Sequence, residues 1–444
     1  MNKCCHCDTT DVEGEDGTMT TNANNRGNQQ RKIMPSSYRQ DNDDAGTGSS
    51  STGRVSYRTI EVGGSNSRTV SYTVIEAKEQ QQDRSTAIVM FYPLSGASMA
   101  ISKMQLDNYS CSLICVDRPS CYGTSPLLLD CYDDDDDDDD NDSDLKKNSK
   151  DLIFLKRIRG SVKDALAVLE KEKITTIYIL GVCIGHPYAV ELCRQCLPRS
   201  SASSSTTTTQ TTSKVPVVGG MTLVAPFVST ACPSSWKVAR FGASWWLPSS
   251  LLWGATEMAP IAEKVVVPFL SSRTIESLLS TDEEREVWTS QQDFEDAYQM
   301  LLDLTPITKN AKGIEARLGV SKIWQTKVCD KFAKESGLAL EDCDCDDTNA
   351  EKSEDYQSKT STSSCTIPIR IHASREDKLA SLSSVEWISK RCYGNAPIII
   401  EETIHSHEVM TFLGGPPCNP VLLHKIATDW GLLTSTSIES EGNR

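Results

Sequence analysis

A cysteine flanked by two glycines, Gly181-Val182-Cys183-Ile184-Gly185, follows the apolar run Tyr178-Ile179-Leu180 and precedes a helical pattern. An apolar strand that ends in Gly-x-Cys-x-Gly and passes at once into a helix reads as a nucleophile elbow, with a thiol where a hydroxyl is usual. Gly181 and Gly185 allow the chain to bend sharply, so the side chain between them is held out on strained backbone. The helix N-terminus behind it favours an anion, either a thiolate or the oxyanion of an acyl intermediate. Pro187 suits the first turn of that helix, where a missing N–H costs nothing. A free thiol is only slightly ionised near neutral pH, so the site needs a base. The chain has six histidines to supply one.

The segments around the elbow alternate in type. Strand patterns cover 58–62, 69–76, 87–92, 113–117, 177–180, 217–224, 367–372 and 396–401. The first two are separated by Gly63-Gly64-Ser65-Asn66-Ser67 and read as a hairpin. The run 87–92 is continuously apolar, as in a strand buried on both faces. Helical patterns cover 98–109, 151–172, 187–197, 233–335, 382–391 and 422–432. In the second of these, Ile153, Leu155, Ile158, Val162, Leu166 and Leu169 are spaced to form one apolar stripe. Strands alternating with helices predict an α/β protein: a mostly parallel twisted sheet, helices on both faces, and an antiparallel edge.

Composition sets the domain limits. Residues 1–54 are poor in large apolar side chains and read as a disordered N-terminal tail. The core then runs over 55–228, with an acidic insertion at 133–150 and a Ser/Thr-rich one at 199–214. A helical cap is expected over 229–340, inserted after the sixth strand. An acidic low-complexity linker at 341–365, the rest of the core at 366–435 and a tail at 436–444 complete the chain. The formal net charge is −16, and no basic stripe argues for nucleic acid. No apolar run reaches the length of a membrane span. Seventeen scattered cysteines and no secretory signal suggest reduced thiols and a cytoplasmic setting. Cys4-Cys5-His6-Cys7 is too crowded for a tetrahedral metal site, so no metal and no cofactor are expected.

This order of elements resembles the α/β-hydrolase fold from about residue 55 to 435. Tyr92-Pro93-Leu94 occupies the place of the family's His-Gly-x loop after the third strand, and Asp117 to Ser125 resembles its Asp-Arg-Pro-Gly-Tyr-Gly-x-Ser loop with one residue inserted. Pro368 to Asp377 resembles the segment that carries the acid, and Ser406-His407-Glu408-Val409-Met410 the one that carries the base. The resemblance implies a triad of Cys183, His407 and Asp377, with the backbone N–H groups of Leu94 and Ile184 as the oxyanion hole. His405 and Glu376 are the neighbouring rivals for base and acid. Tyr92, His186, Trp245 and Trp246 are candidates for the pocket. His372 and His424 read as structural, and Asp117 as the anchor of its own loop. The elbow itself is similar to those of dienelactone hydrolases and polyhydroxyalkanoate synthases; the Asp117 loop and long cap are closer to the general esterase branch. The implied activity is hydrolysis of an ester, lactone or thioester of a small-molecule acyl substrate. An acyltransferase using acyl-CoA thioesters and an inactive ligand-binding or scaffold protein are the alternatives.

Overall fold

The computed structural model describes residues 55–63, 67–76, 85–93, 98, 109–127, 149–197, 215–230, 232, 234, 321, 323–338, 367–375, 377, 380–401 and 420–433. The expected tails, both low-complexity insertions, the linker and all but a fraction of the cap lie outside these residues.

The first two strands, β1 (Val55–Val62) and β2 (Arg68–Ile75), form the expected antiparallel hairpin, with Val55 opposite Ile75. Gly63 takes φ +93° at its turn, a conformation open to glycine and costly for residues with a Cβ. β3 (Thr86–Phe91) and β4 (Ser112–Val116) are buried along their whole length. Their apolar side chains on both faces match a strand covered by helices above and below. Five further strands and helices follow: α1 (Ser149–Lys171), β5 (Thr176–Val182), α2 (His186–Gln195), β6 (Val217–Val224) and α3 (Asp330–Glu335), the last preceded by a π-helical turn over Gln325–Cys329. The described chain closes with β7 (Ile369–Ala373), α4 (Leu382–Cys392), β8 (Ile398–Ile400) and α5 (Pro420–Asp429). No described helix is long and apolar enough to cross a membrane.

The eight described strands form one sheet in the order β1-β2-β4-β3-β5-β6-β7-β8. β2 pairs antiparallel with β4, and every pairing from β4 to β8 is parallel. The chain leaves β3 toward β4 on one side, then returns to β5 on the other side of β3. That reversal makes a crevice at the carboxyl ends of the strands, where open α/β sheets bind ligands. The elbow ends β5 and therefore opens into this crevice.

The helices are fixed by apolar faces and by a few buried charges. α1 buries Leu155, Ile158, Val162, Ala165, Val168 and Leu169. Ile153, expected in this stripe, is 37% exposed. At about 100° per residue it lies roughly 140° around the helix from Ile158, so it faces outward. Asp164 of α1 forms a buried ion pair with Arg68 of β2, and Glu172 just beyond α1 binds both Arg58 and the Tyr72 hydroxyl. A buried charge is tolerated only when it is partnered, so these contacts fix the hairpin against α1. Nine cysteines lie among the described residues; all are buried and free of disulfides.

Candidate active site

Cys183 takes φ +50°, between Val182 in an extended conformation (φ −112°, ψ 123°) and a 3-10 turn over Cys183–Gly185. The left-handed conformation therefore falls on the cysteine itself, at a cost of about 1–3 kcal/mol. Neither flanking glycine has a positive φ. Their role is close approach. A Cβ on Gly185 would sit 2.2 Å from the Phe91 carbonyl oxygen, and one on Gly181 would sit 2.7 Å from the Ala189 Cβ. The glycines thus let β5 press against β3 on one side and α2 on the other. Cys183 is 9% exposed and Ile184 is buried. The Cys183 carbonyl accepts from the backbone N–H of His186 and of Phe227, at 3.2 Å for the latter. Pro187 falls in the first turn of α2, as expected. The positive end of the α2 dipole stands directly behind the cysteine and favours negative charge that develops there.

Asp377 lies in the loop after β7, buried, with Oδ1 accepting the Ala380 N–H at 2.8 Å. β7 is two strands from β5, so its loop opens at the same edge of the sheet. Leu94, His405, His407, Glu376, Trp245 and Trp246 lie outside the described residues.

His186 is fully buried behind the elbow. Nδ1 lies 2.8 Å from the Phe227 carbonyl and Nε2 meets the Tyr393 hydroxyl. A carbonyl can only accept, so Nδ1–H donates and Nε2 accepts from Tyr393. Burial lowers the His186 pKa to about 4, against a smaller opposing effect of the Phe227 bond. The ring is neutral at neutral pH and cross-links α2, the loop after β6 and the end of α4.

That shift has a measurable sign. Between pH 6.5 and 4 the unfolded chain holds a proton on this histidine that the folded chain does not. Stability therefore falls as pH drops through that window, by about 3 kcal/mol in all. Asp117 acts in the opposite sense: burial, outweighing hydrogen bonds from Ser98 and Ser71, raises its pKa to about 6. Its share of stability falls as pH rises from about 4 to about 6. In His186→Gln, whose amide can replace both hydrogen bonds, the acid-side loss from residue 186 disappears. Urea unfolding of both proteins at several pH values is expected to give a stability difference that changes steadily between pH 6.5 and 4; a constant difference contradicts it.

The loop after β4 is a buried polar network. Asp117 accepts from the Ser98 N–H (2.6 Å), the Ser98 hydroxyl (2.8 Å) and the Ser71 hydroxyl (2.7 Å). Thr124 bonds the Ser71 N–H and the Asp117 carbonyl. Ser120 and Tyr122 take φ +64° and +45°, so this loop bends as glycines would allow, on residues that have side chains. Asp117 thus anchors its loop, as the sequence suggested. Arg118, which the sequence reading passed over, is 1% exposed. It donates to the Tyr92 carbonyl at 2.8 Å and the Pro93 carbonyl at 2.9 Å. Its guanidinium lies 4.1 Å from the centre of the Tyr92 ring and 5.2 Å from that of Tyr188 on α2. Tyr92 itself is buried, its hydroxyl accepting the Arg118 N–H. The available signal was an arginine directly following an apolar strand, where burial demands acceptors nearby.

His372 and His424 occupy structural positions. His372, at the end of β7, is buried with Nδ1 2.6 Å from Glu401, which also binds Lys425 of α5. Burial alone would raise the Glu401 pKa, but the hydrogen bonds from His372 and Lys425 outweigh it and lower the value. His424 lies on α5, edge-on to the Tyr109 ring.

No protein-family profile matches the sequence, and no curated protein is significantly similar to it. Solved structures are similar in fold. An alpha/beta hydrolase enzyme, MGS-M2, from a Medee basin deep-sea metagenome library is 12% identical, with 83% of this chain and 96% of that chain covered and a TM-score of 0.41. The Cif epoxide hydrolase from Acinetobacter nosocomialis is 13% identical, covering 85% and 88% at 0.41. The esterase EaEST from Exiguobacterium antarcticum is 10% identical, covering 79% and 92% at 0.42.

Proposed function

We propose, taking as premise the α/β-hydrolase fold that this strand order and elbow give the chain, that it is a hydrolase of ester, lactone or thioester bonds with Cys183 as nucleophile. The observation that supports this reading is the backbone of Cys183. A non-glycine residue at φ +50° between a strand and a helix is a costly arrangement, and strain of this kind clusters at reacting groups. A small buried core cysteine gains nothing from it.

In this reading His407 removes the thiol proton as Sγ attacks the acyl carbon. The carbonyl electron pair moves onto oxygen, where the N–H groups of Ile184 and Leu94 receive it. Collapse expels the alcohol or thiol, which takes the proton from His407, and leaves a thioester on Cys183. His407 then draws a proton from water, water adds to the thioester, and the carboxylic acid departs as the thiol reforms. Asp377 holds His407 in one tautomer throughout.

The test is labelling with a thiol-directed acyl probe, followed by mapping of the modified residue and assay on p-nitrophenyl esters and acyl thioesters. The label is expected on Cys183, with turnover that Cys183→Ala lacks. If the protein and its Cys183→Ala form are equally inactive across a broad panel, the hydrolase reading is dropped and a ligand-binding role takes its place.

A further inference from the structure

We infer that Arg118 is a positioning residue that turns one peptide unit over so that an N–H, rather than a carbonyl oxygen, faces the reacting centre. The inference rests on the catalytic reading of Cys183 given above.

The argument follows three successive carbonyls. β3 lies between β4 and β5. The Phe91 carbonyl faces β5, since it lies against Gly185 at the elbow. The Tyr92 carbonyl is bound by Arg118, which follows β4, and so faces the opposite side. Up to this point the alternation is that of a strand. A third extended residue would return its carbonyl to the β5 side, placing a partial negative charge where the acyl oxygen becomes an anion. Instead the Pro93 carbonyl is also bound by Arg118, at 2.9 Å, on the β4 side. In a trans peptide the C=O and the following N–H point in opposite directions. Holding the Pro93 oxygen toward β4 therefore directs the N–H of the same peptide unit toward β5 and Cys183. Proline leaves no alternative one unit earlier, because residue 93 has no N–H.

The neighbouring residue completes the device. Asp117 holds the N–H and hydroxyl of Ser98 at 2.6 and 2.8 Å. Two consecutive residues, one anionic and one cationic, thus grip the chain at Pro93 and again at Ser98. Because the guanidinium also stacks on Tyr188 of the elbow helix, both donors of the oxyanion hole refer to one rigid group.

The test separates chemistry that forms an oxyanion from chemistry that does not. Acylation of Cys183 by p-nitrophenyl acetate passes through a tetrahedral oxyanion; alkylation of the same sulfur by iodoacetamide does not. Both rates are read by mass spectrometry on the Cys183 peptide. Arg118→Met is expected to slow acylation by about 10²-fold or more, the value of one oxyanion donor, while alkylation stays close to that of the unaltered protein. Arg118→Lys, which keeps a buried cation and one carbonyl contact, is expected to lose less and serves as the comparison if the methionine form does not fold. Equal slowing of both reactions, or no slowing of acylation, overturns the role. Unaltered protein that is alkylated but never acylated overturns instead the catalytic reading on which the role depends, and is seen before any variant is made.

Discussion

Cys183→Gly is expected to abolish acyl transfer and yet to be more stable than Cys183→Ala. Both variants lack the sulfur, so both should lose about 10⁴-fold or more of the turnover, as removal of a nucleophile does elsewhere. They differ in backbone. Alanine retains the φ of +50° that the elbow imposes, whereas glycine adopts it at little cost. The difference should favour glycine by about 1 kcal/mol or more, offset in part by the greater freedom glycine gives the unfolded chain. Chemical denaturation of the two variants measures it. Glycine less stable than alanine would show that Cys183 carries no stored strain, and the main support for a reacting thiol would go with it.

Gly185→Ala should be the most damaging single methyl group among the described glycines. The added Cβ would lie 2.2 Å from the Phe91 oxygen and 2.8 Å from the Phe91 carbonyl carbon, both backbone atoms. No rotamer change relieves that contact. Either β3 moves away from the elbow or the elbow opens, and overpacking of this kind costs about 1–3 kcal/mol, sometimes more. The structural outcome also bears on chemistry, because Phe91 is two residues from the carbonyl that Arg118 holds. A loss of thermal stability together with loss of Cys183 acylation is expected. Gly337→Ala is the control: nothing lies within 4 Å of its Cβ position, though its φ of +70° adds strain of its own. It should lower stability without touching acylation.

Most of the sheet could be read from the chain because its strands are apolar on both faces and bounded by polar turns. β6 was expected at 217–224 and spans those residues, and β3 and β4 were each placed within one residue. The order of the strands could not be read from any period. That β4 lies between β2 and β3 is set by crossovers, not by a pattern within one strand. Ile153 was assigned to the wrong face because a run of apolar residues at mixed spacings was counted as one stripe. The elbow was legible as a motif, but not the division of labour within it, in which the cysteine bends and the glycines make room. Arg118 was overlooked because its partners are backbone carbonyls, which leave no trace in residue identity. The contact between His186 and Tyr393 spans 207 residues of sequence and links two buried polar groups that each look inert alone.

One contact reaches beyond its own loop. Ser71 belongs to β2, the inner strand of the edge hairpin, and its hydroxyl is one of the three donors on Asp117. β2 stands three strand positions from β5, about 14 Å at the usual spacing of neighbouring strands. Peeling of that hairpin, the part of the sheet with the fewest neighbours, would remove a ligand from the carboxylate that fastens Ser98. The readiness of the reacting centre to accept an acyl group is therefore tied to the local melting of a ribbon at the far margin of the molecule.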